Sequence, residues 1–253
     1  MLKQKFLKTG LLSCLALLLV PAAALAYSNS DLAAVLAGNS CPGGDLSGAD
    51  LSGMDLSGRN FNNADFTEAR LDKTKLDKAQ LRDTCFSNAL LARASLRNAD
   101  LSNANFSYAV AMQTDFTNAN LQGAYLYRTQ LQRAQLLNAK LRQAKAQEAA
   151  FDGAQADYAD FSFANLPYSW LRQASLKNAV FHGANLYATH LFKADLSEAD
   201  LSSAKLGYAD FSHSNLSRAK LDKAVLENAD LRSADLTYTQ FGTAFLDKAK
   251  MDK

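Results

Sequence analysis

Few side chains in this sequence are equipped for chemistry. His182, His190 and His213 are its only histidines, and Cys14, Cys41 and Cys85 its only cysteines. That leaves little material for a metal site, a nucleophile with its base, or a disulfide framework. Cys41-Pro-Gly-Gly44 has the outline of a CxxC motif without its second cysteine, so neither redox nor zinc chemistry is expected there. Gly43, Gly44, Gly48, Gly53 and Gly58 match no phosphate-binding loop and read as residues that ease tight corners. Carboxylates such as Asp195 and Asp235 read as solvated surface. No catalytic residue, metal ligand or cofactor site is expected, and the chain is not expected to be an enzyme.

Charge narrows the partners. The 253 residues carry 27 Lys+Arg against 25 Asp+Glu. Residues 1–26 read as a cleavable secretory signal: Lys3, Lys5 and Lys8 without an acid, an apolar run from Leu11 to Val20, then small residues ending at Ala26. That run is about half the ~20 residues a membrane-spanning helix needs, so stable membrane insertion is not expected after cleavage. A lipoprotein reading with Cys14 as acceptor would cut the apolar run short. Removing three lysines leaves 24 basic and 25 acidic residues, a net charge of −1. Such a balance speaks against nucleic-acid binding through a basic surface, and against a dense acidic surface that imitates DNA.

What positions the remaining side chains is a period of five. From Leu46 to Met251 there are 42 positions spaced by five, and 38 hold Leu or Phe. Two residues before each lies a small residue, Ala at 31 of the 42. In an α-helix five residues turn through about 500°, so the leucines would form no stripe. In one continuous strand an odd spacing would send alternate leucines to opposite faces. Each unit is therefore a short extended piece followed by a corner. Corners of one hand wind the chain into a coil with Leu and Ala inside.

Units such as Ala49-Asp50-Leu51-Ser52-Gly53, Ala99-Asp100-Leu101-Ser102-Asn103 and Ala199-Asp200-Leu201-Ser202-Ser203 resemble those of the pentapeptide-repeat family. The resemblance implies an all-β fold, a right-handed quadrilateral parallel β-helix with four units per square coil. Echoes at twenty residues agree, with Phe66, Phe86 and Phe106 expected in one ladder and Phe161 with Phe181 in another. The expected domains are the signal at 1–26, a capping helix and turn at 27–43, and a β-helix of about ten coils at 44–253. Stacked at the ~4.8 Å spacing of paired strands, the coils give a rod roughly 50 Å long. Ser28 to Gly38 is expected to form the cap, with Leu32, Val35 and Leu36 plugging the core. Met54 and Arg59 break the small-residue rule in the first coil. Phe151 is expected to fill volume vacated by Ala146 and Ala156. Cys41 and Cys85 fall too far apart to bridge, so two free thiols are expected.

Phe241, Leu246 and Met251 fall near a C-terminal end with no plug. Dimerisation through C-terminal coils, frequent in similar proteins, makes a homodimer there an expectation. Walls assigned by residue number modulo twenty differ in character. One carries Tyr108, Tyr125, Tyr127, Tyr168, Tyr187 and Tyr208, and the next presents Leu90, Val110, Met112, Trp170, His190 and Phe192. The second wall holds nine basic and six acidic residues, a charge of +3. Together these twelve residues form a candidate strip for a protein partner, because aromatic residues, Met and Arg are favoured in interfaces. The competing reading is that outward tyrosines simply stack and cover the coil edge. His190 falls one coil below Asp210, where an ion pair is expected.

The functional expectation is a non-catalytic, exported protein-interaction scaffold in a periplasm or a thylakoid lumen. The alternative is the branch of similar proteins that binds gyrase or topoisomerase by imitating DNA, which the leader and the charge oppose.

Overall fold

A computed structural model describes residues 27–252; the expected signal at 1–26 lies outside them. From Asp45 onward the backbone repeats one five-residue pattern, a bridge residue followed by a two-residue turn. Every bridge is parallel and pairs residue i with i+20, from Asp45–Asp65 through Asp230–Lys250. Twenty residues per turn is four pentapeptides per coil, so the chain is a right-handed square β-helix.

The repeat follows from an accounting of backbone donors. In the unit around Leu51, the Leu51 N–H donates to Arg70 of the next coil and the Gly53 N–H to Asp72. Met54 N–H closes the corner onto the Leu51 carbonyl, and Asp50 supplies the bridge. The ladder also leaves the Ser52 N–H over, and the Asp50 carboxylate accepts it at 3.1 Å. The same contact recurs at Asp65–Thr67, Asp115–Thr117 and Asp160–Ser162. Asp or Asn before the central Leu is thus a corner cap, satisfying the donor the ladder leaves over. Asp195 and Asp235 do the same for Ser197 and Thr237, which corrects their reading as merely solvated. Pro167 has no N–H to satisfy, and the preceding Asn165 turns its amide oxygen to Asn185 instead.

The third residue of each corner is left-handed, with φ between 52° and 70° from Gly43 to Tyr238. Only Gly adopts this region without steric cost, and Asn more readily than most. The first coil uses Gly at all four corners, whereas Tyr108, Tyr158, Tyr168, Tyr208 and Tyr238 occupy such positions further along.

Inside, the central Leu and Phe residues from Leu46 to Leu231 are at most 2% exposed. Phe66, Phe86 and Phe106 stack with centroids 5.2 and 4.7 Å apart, and Phe161 stacks on Phe181 at 4.7 Å, as the twenty-residue echoes suggest. Phe151 meets Phe161 edge-on and is buried between the alanines at 146 and 156. Where Thr or Ser replaces the small Ala, its buried hydroxyl donates to a carbonyl. Thr74 reaches Leu51 and Thr84 reaches Phe61, both at 2.9 Å, while Ser214 bonds Phe211 at 2.6 Å. These groups therefore add no unsatisfied polar atom to the core.

The N-terminal end is closed by α1 (Asn29–Leu36), capped by Ser28. Val35 is fully buried and Leu32 packs against the core, but Leu36 is 40% exposed and so is not part of the plug. Tyr27 and Cys41 are buried in its place. Arg59 breaks the small-residue rule for a reason: its guanidinium donates to the carbonyls of Val35, at 2.8 Å, and Asp55, at 3.0 Å. A cation on the last turn of α1 also suits the helix dipole. At the other end Leu236, Phe241 and Leu246 are only partly buried, and Met251 is 40% exposed.

Candidate functional site

The repeat keeps polar side chains pointing outward on four walls. Among the described residues, no three His, Cys, Asp or Glu side chains are placed to hold a metal ion. Cys41 and Cys85 are both free thiols. Burial, and then the nearby Asp31 carboxylate, push the Cys41 thiol above its usual pKa. The expected pair between His190 and Asp210 does not form. His190 instead lies flat on Trp170, with ring centroids 4.3 Å apart, while Asp210 caps its own corner through Ser212. A bulky indole directly below offers the imidazole more contact than a carboxylate already engaged.

The twelve strip residues fall into separate groups. Tyr168, Tyr187 and Tyr208 form an edge-to-face zigzag with centroid spacings of 5.8 and 5.5 Å. Gly207 makes this arrangement fit, since a Cβ there would come within 3.3 Å of the Tyr187 ring. Burial, then the neighbouring Tyr168 and Tyr208, raise the Tyr187 hydroxyl above its usual pKa. Tyr108 and Tyr127 form a second edge-to-face pair at 5.3 Å, and Lys145 lies 4.0 Å over Tyr125. Between the two tyrosine groups runs an ion pair, Arg128 to Glu148 at 2.7 Å. The strip is therefore two aromatic patches on one corner, interrupted by charge.

On the adjoining wall, Arg172 sits 4.7 Å over the Trp170 ring and grips Asp152 through two bonds of 2.9 and 3.0 Å. Phe192 packs edge-on against His213, and Leu90 pairs with Val110 one coil above. Met112 lines a shallow groove of ≈ 330 Å³ with Gln113, Gln132, Arg133, Asp152 and Gln173. Its floor opens at Gly153, where the column of corner side chains misses one rung.

Further exposed aromatics were not singled out by wall: Phe163, packed edge-on against His182, together with Tyr158, Tyr238 and Phe245. Three of them hold the left-handed corner position, the most outward place in the repeat. Reading the sequence corner by corner rather than wall by wall would have found those three.

Comparisons with known proteins agree with this architecture. The family profile described as "Pentapeptide repeats" matches residues 134–167, 159–202, 194–232 and 209–247, and that described as "Pentapeptide repeat region" matches residues 59–136. Among solved structures, the chain is similar to HetL, a pentapeptide repeat protein involved in heterocyst differentiation regulation in the cyanobacterium Nostoc sp. strain PCC 7120. The identity is 29% over 89% of this chain and 97% of that one, with a TM-score of 0.62. A pentapeptide repeat protein of the Arabidopsis thaliana thylakoid lumen is 37% identical over 35% of this chain and 58% of its own, with a TM-score of 0.23. Full-length QnrB1, a plasmid-mediated fluoroquinolone resistance protein, is 19% identical over 81% of this chain and 92% of its own, with a TM-score of 0.25. A search of curated proteins found no match.

Proposed function

Because the chain belongs to the pentapeptide-repeat family, we propose that it is a non-catalytic, exported scaffold that holds a protein partner against one corner of a rigid rod. The carrying observation is the zigzag of Tyr168, Tyr187 and Tyr208, which are 54%, 39% and 55% exposed, beside a Trp170 that is 38% exposed. Rigid aromatic rings lose little entropy on docking and dominate interface energetics. The backbone N–H groups of Tyr168, Trp170, Tyr187 and Tyr208 are each tied into the coil, so the surface is preorganised and binding need not order it. Similarity to HetL, a regulatory protein of the same fold, is in keeping with a role through contact rather than turnover. Export, to a periplasm or a thylakoid lumen, rests on the leader pattern at 1–26. The near-neutral surface gives the DNA-imitating reading no support.

Tagged mature protein would be used to capture partners from extracts of the exported compartment. Trp170→Ala and Tyr187→Ala should leave the circular dichroism spectrum intact and weaken capture at least tenfold. Tyr238→Ala, on another corner, should not. Equal capture by all four proteins would reject the aromatic surface. An uncleaved leader, seen by N-terminal sequencing, would reject export.

A further inference from the structure

One corner of the rod carries a column of cations without a single acid. Reading upward every twenty residues from Lys73, it runs Arg93, Gln113, Arg133, Gly153, Gln173, Lys193 and His213. All eight positions take the left-handed corner conformation, seven of them as non-glycine residues, so those side chains project from the same edge. Lys73, Arg93, Arg133 and Lys193 are exposed, and none joins an ion pair among the described residues. Arg93 bonds only a neutral amide, that of Gln113 at 2.9 Å. Elsewhere on the rod Arg82, Arg97, Arg128, Arg142, Arg172, Arg218 and Arg232 all reach carboxylates within 4 Å. Lys73 and Arg93 lie on neighbouring coils, where like charges repel, a cost that a bound anion would relieve.

The groove beside Gly153 sits midway along this column. The Gln132 side-chain oxygen is buried there with no hydrogen-bond partner among the described residues. The one acid in the groove, Asp152, is already neutralised by Arg172. The groove therefore offers the Arg133 guanidinium, which no carboxylate among the described residues holds.

We propose that this corner docks an extended, acidic polypeptide segment of the partner, lying along the rod axis. The proposal rests on the scaffold reading above and specifies the chemistry of its partner. Coil spacing sets the match. Arg93 and Arg133 are two coils apart, about 9.6 Å at the spacing of paired strands. A polyproline-II chain repeats its facing side chain every three residues, about 9.3 Å. Lys73 to Lys193 spans six coils, about 29 Å, which an extended chain of nine or ten residues covers. Carboxylates would meet the cations. Duplex DNA, with one charge per about 1.7 Å, would leave most of its phosphates without a cation here.

The test is fluorescence polarisation with fluorescein-labelled decaglutamate, using the mature protein at low and at physiological salt. The wild type should bind, more weakly as salt rises. Arg133→Glu/Lys193→Glu should bind about tenfold more weakly, with an unchanged circular dichroism spectrum. Equal affinity of wild type and double variant overturns the proposal, as does tighter binding of decalysine or of a DNA duplex. The two readings fail separately. Absent decaglutamate binding with capture still dependent on Tyr187 removes the acidic segment and leaves the scaffold. Binding that persists while capture ignores Trp170→Ala and Tyr187→Ala removes the aromatic surface instead.

Discussion

Replacing Phe86 by Ala tests the stacked core most sharply. Its ring is fully buried and held between Phe66, 5.2 Å away, and Phe106, 4.7 Å away, both nearly parallel to it. A buried Phe contributes on the order of 150–250 Å² of area, about 4–6 kcal/mol at 25 cal/mol per Å². The retained Ala methyl keeps part of this, while two lost ring pairs add about 0.5–1.5 kcal/mol each. Neighbouring coils are pinned by backbone bonds such as Phe86 N–H to Asn105, so the cavity cannot collapse. The net expectation is a loss of about 4–5 kcal/mol, at the upper end of Phe→Ala substitutions in cores. Phe86→Leu should cost far less, about 1–1.5 kcal/mol, since Leu46 and Leu126 already occupy the same ladder. Urea unfolding followed by far-UV circular dichroism and by Trp170 fluorescence measures both, and agreement of the two probes shows whether the coils unfold as one unit. A loss below 1 kcal/mol for Phe86→Ala would refute the placement of these rings on the rod axis.

Other outcomes follow from the same geometry. Gly44→Ala should destabilise by about 1–3 kcal/mol, because its Cβ would meet the Cys41 sulfur and carbonyl; in a Cys41→Ala background the cost should shrink, as a denaturation cycle would show. Ellman's reagent should label Cys85 readily and buried Cys41 only on unfolding; equal rates would contradict the cap. Tyr208→Asn should leave stability unchanged or raise it by up to about 1 kcal/mol, since Asn tolerates the left-handed corner, while weakening partner capture. Acid should loosen the corners. The side-chain bond from Ser57 to Asp55, and that from Thr237 to Asp235, hold these carboxyls below the usual range. Their stabilisation is complete above the unfolded value of about 3.9 and is lost as pH falls through the folded one. Melting temperature should therefore drop below about pH 4, and less so in Asp235→Asn, whose amide oxygen still caps Thr237. In light scattering the mature chain should run as a homodimer joined through the incompletely covered Phe241, Leu246 and Met251; a monomer at micromolar concentration would remove that expectation.

The fold was legible because one uninterrupted period fits neither helix nor strand, and because the Phe echoes at twenty residues have a single spatial meaning. Position in the five-residue register sorted inside from outside, which is why the central Leu and Phe and the preceding Ala went to the right places. Hydrogen bonding was less legible. That Asp50 or Asp195 caps a corner depends on which N–H the ladder leaves over, and this emerges only once every donor is assigned. Arg59 looked like a broken rule until α1 supplied carbonyls for it. His190 was misread because the spacing placed Asp210 and Trp170 equally near, and spacing alone does not reveal that the carboxylate is taken. Walls grouped by sequence also joined two tyrosine patches that Arg128 and Glu148 divide.

Site-specific photocrosslinking tests most directly whether this corner meets a partner. A photoreactive phenylalanine analogue at Tyr187, in the protein expressed in its native compartment, should give one discrete adduct. The same analogue at Tyr158, 58% exposed on a different corner, should give none. Adducts of equal yield and pattern from both positions, or none from Tyr187, would contradict the account.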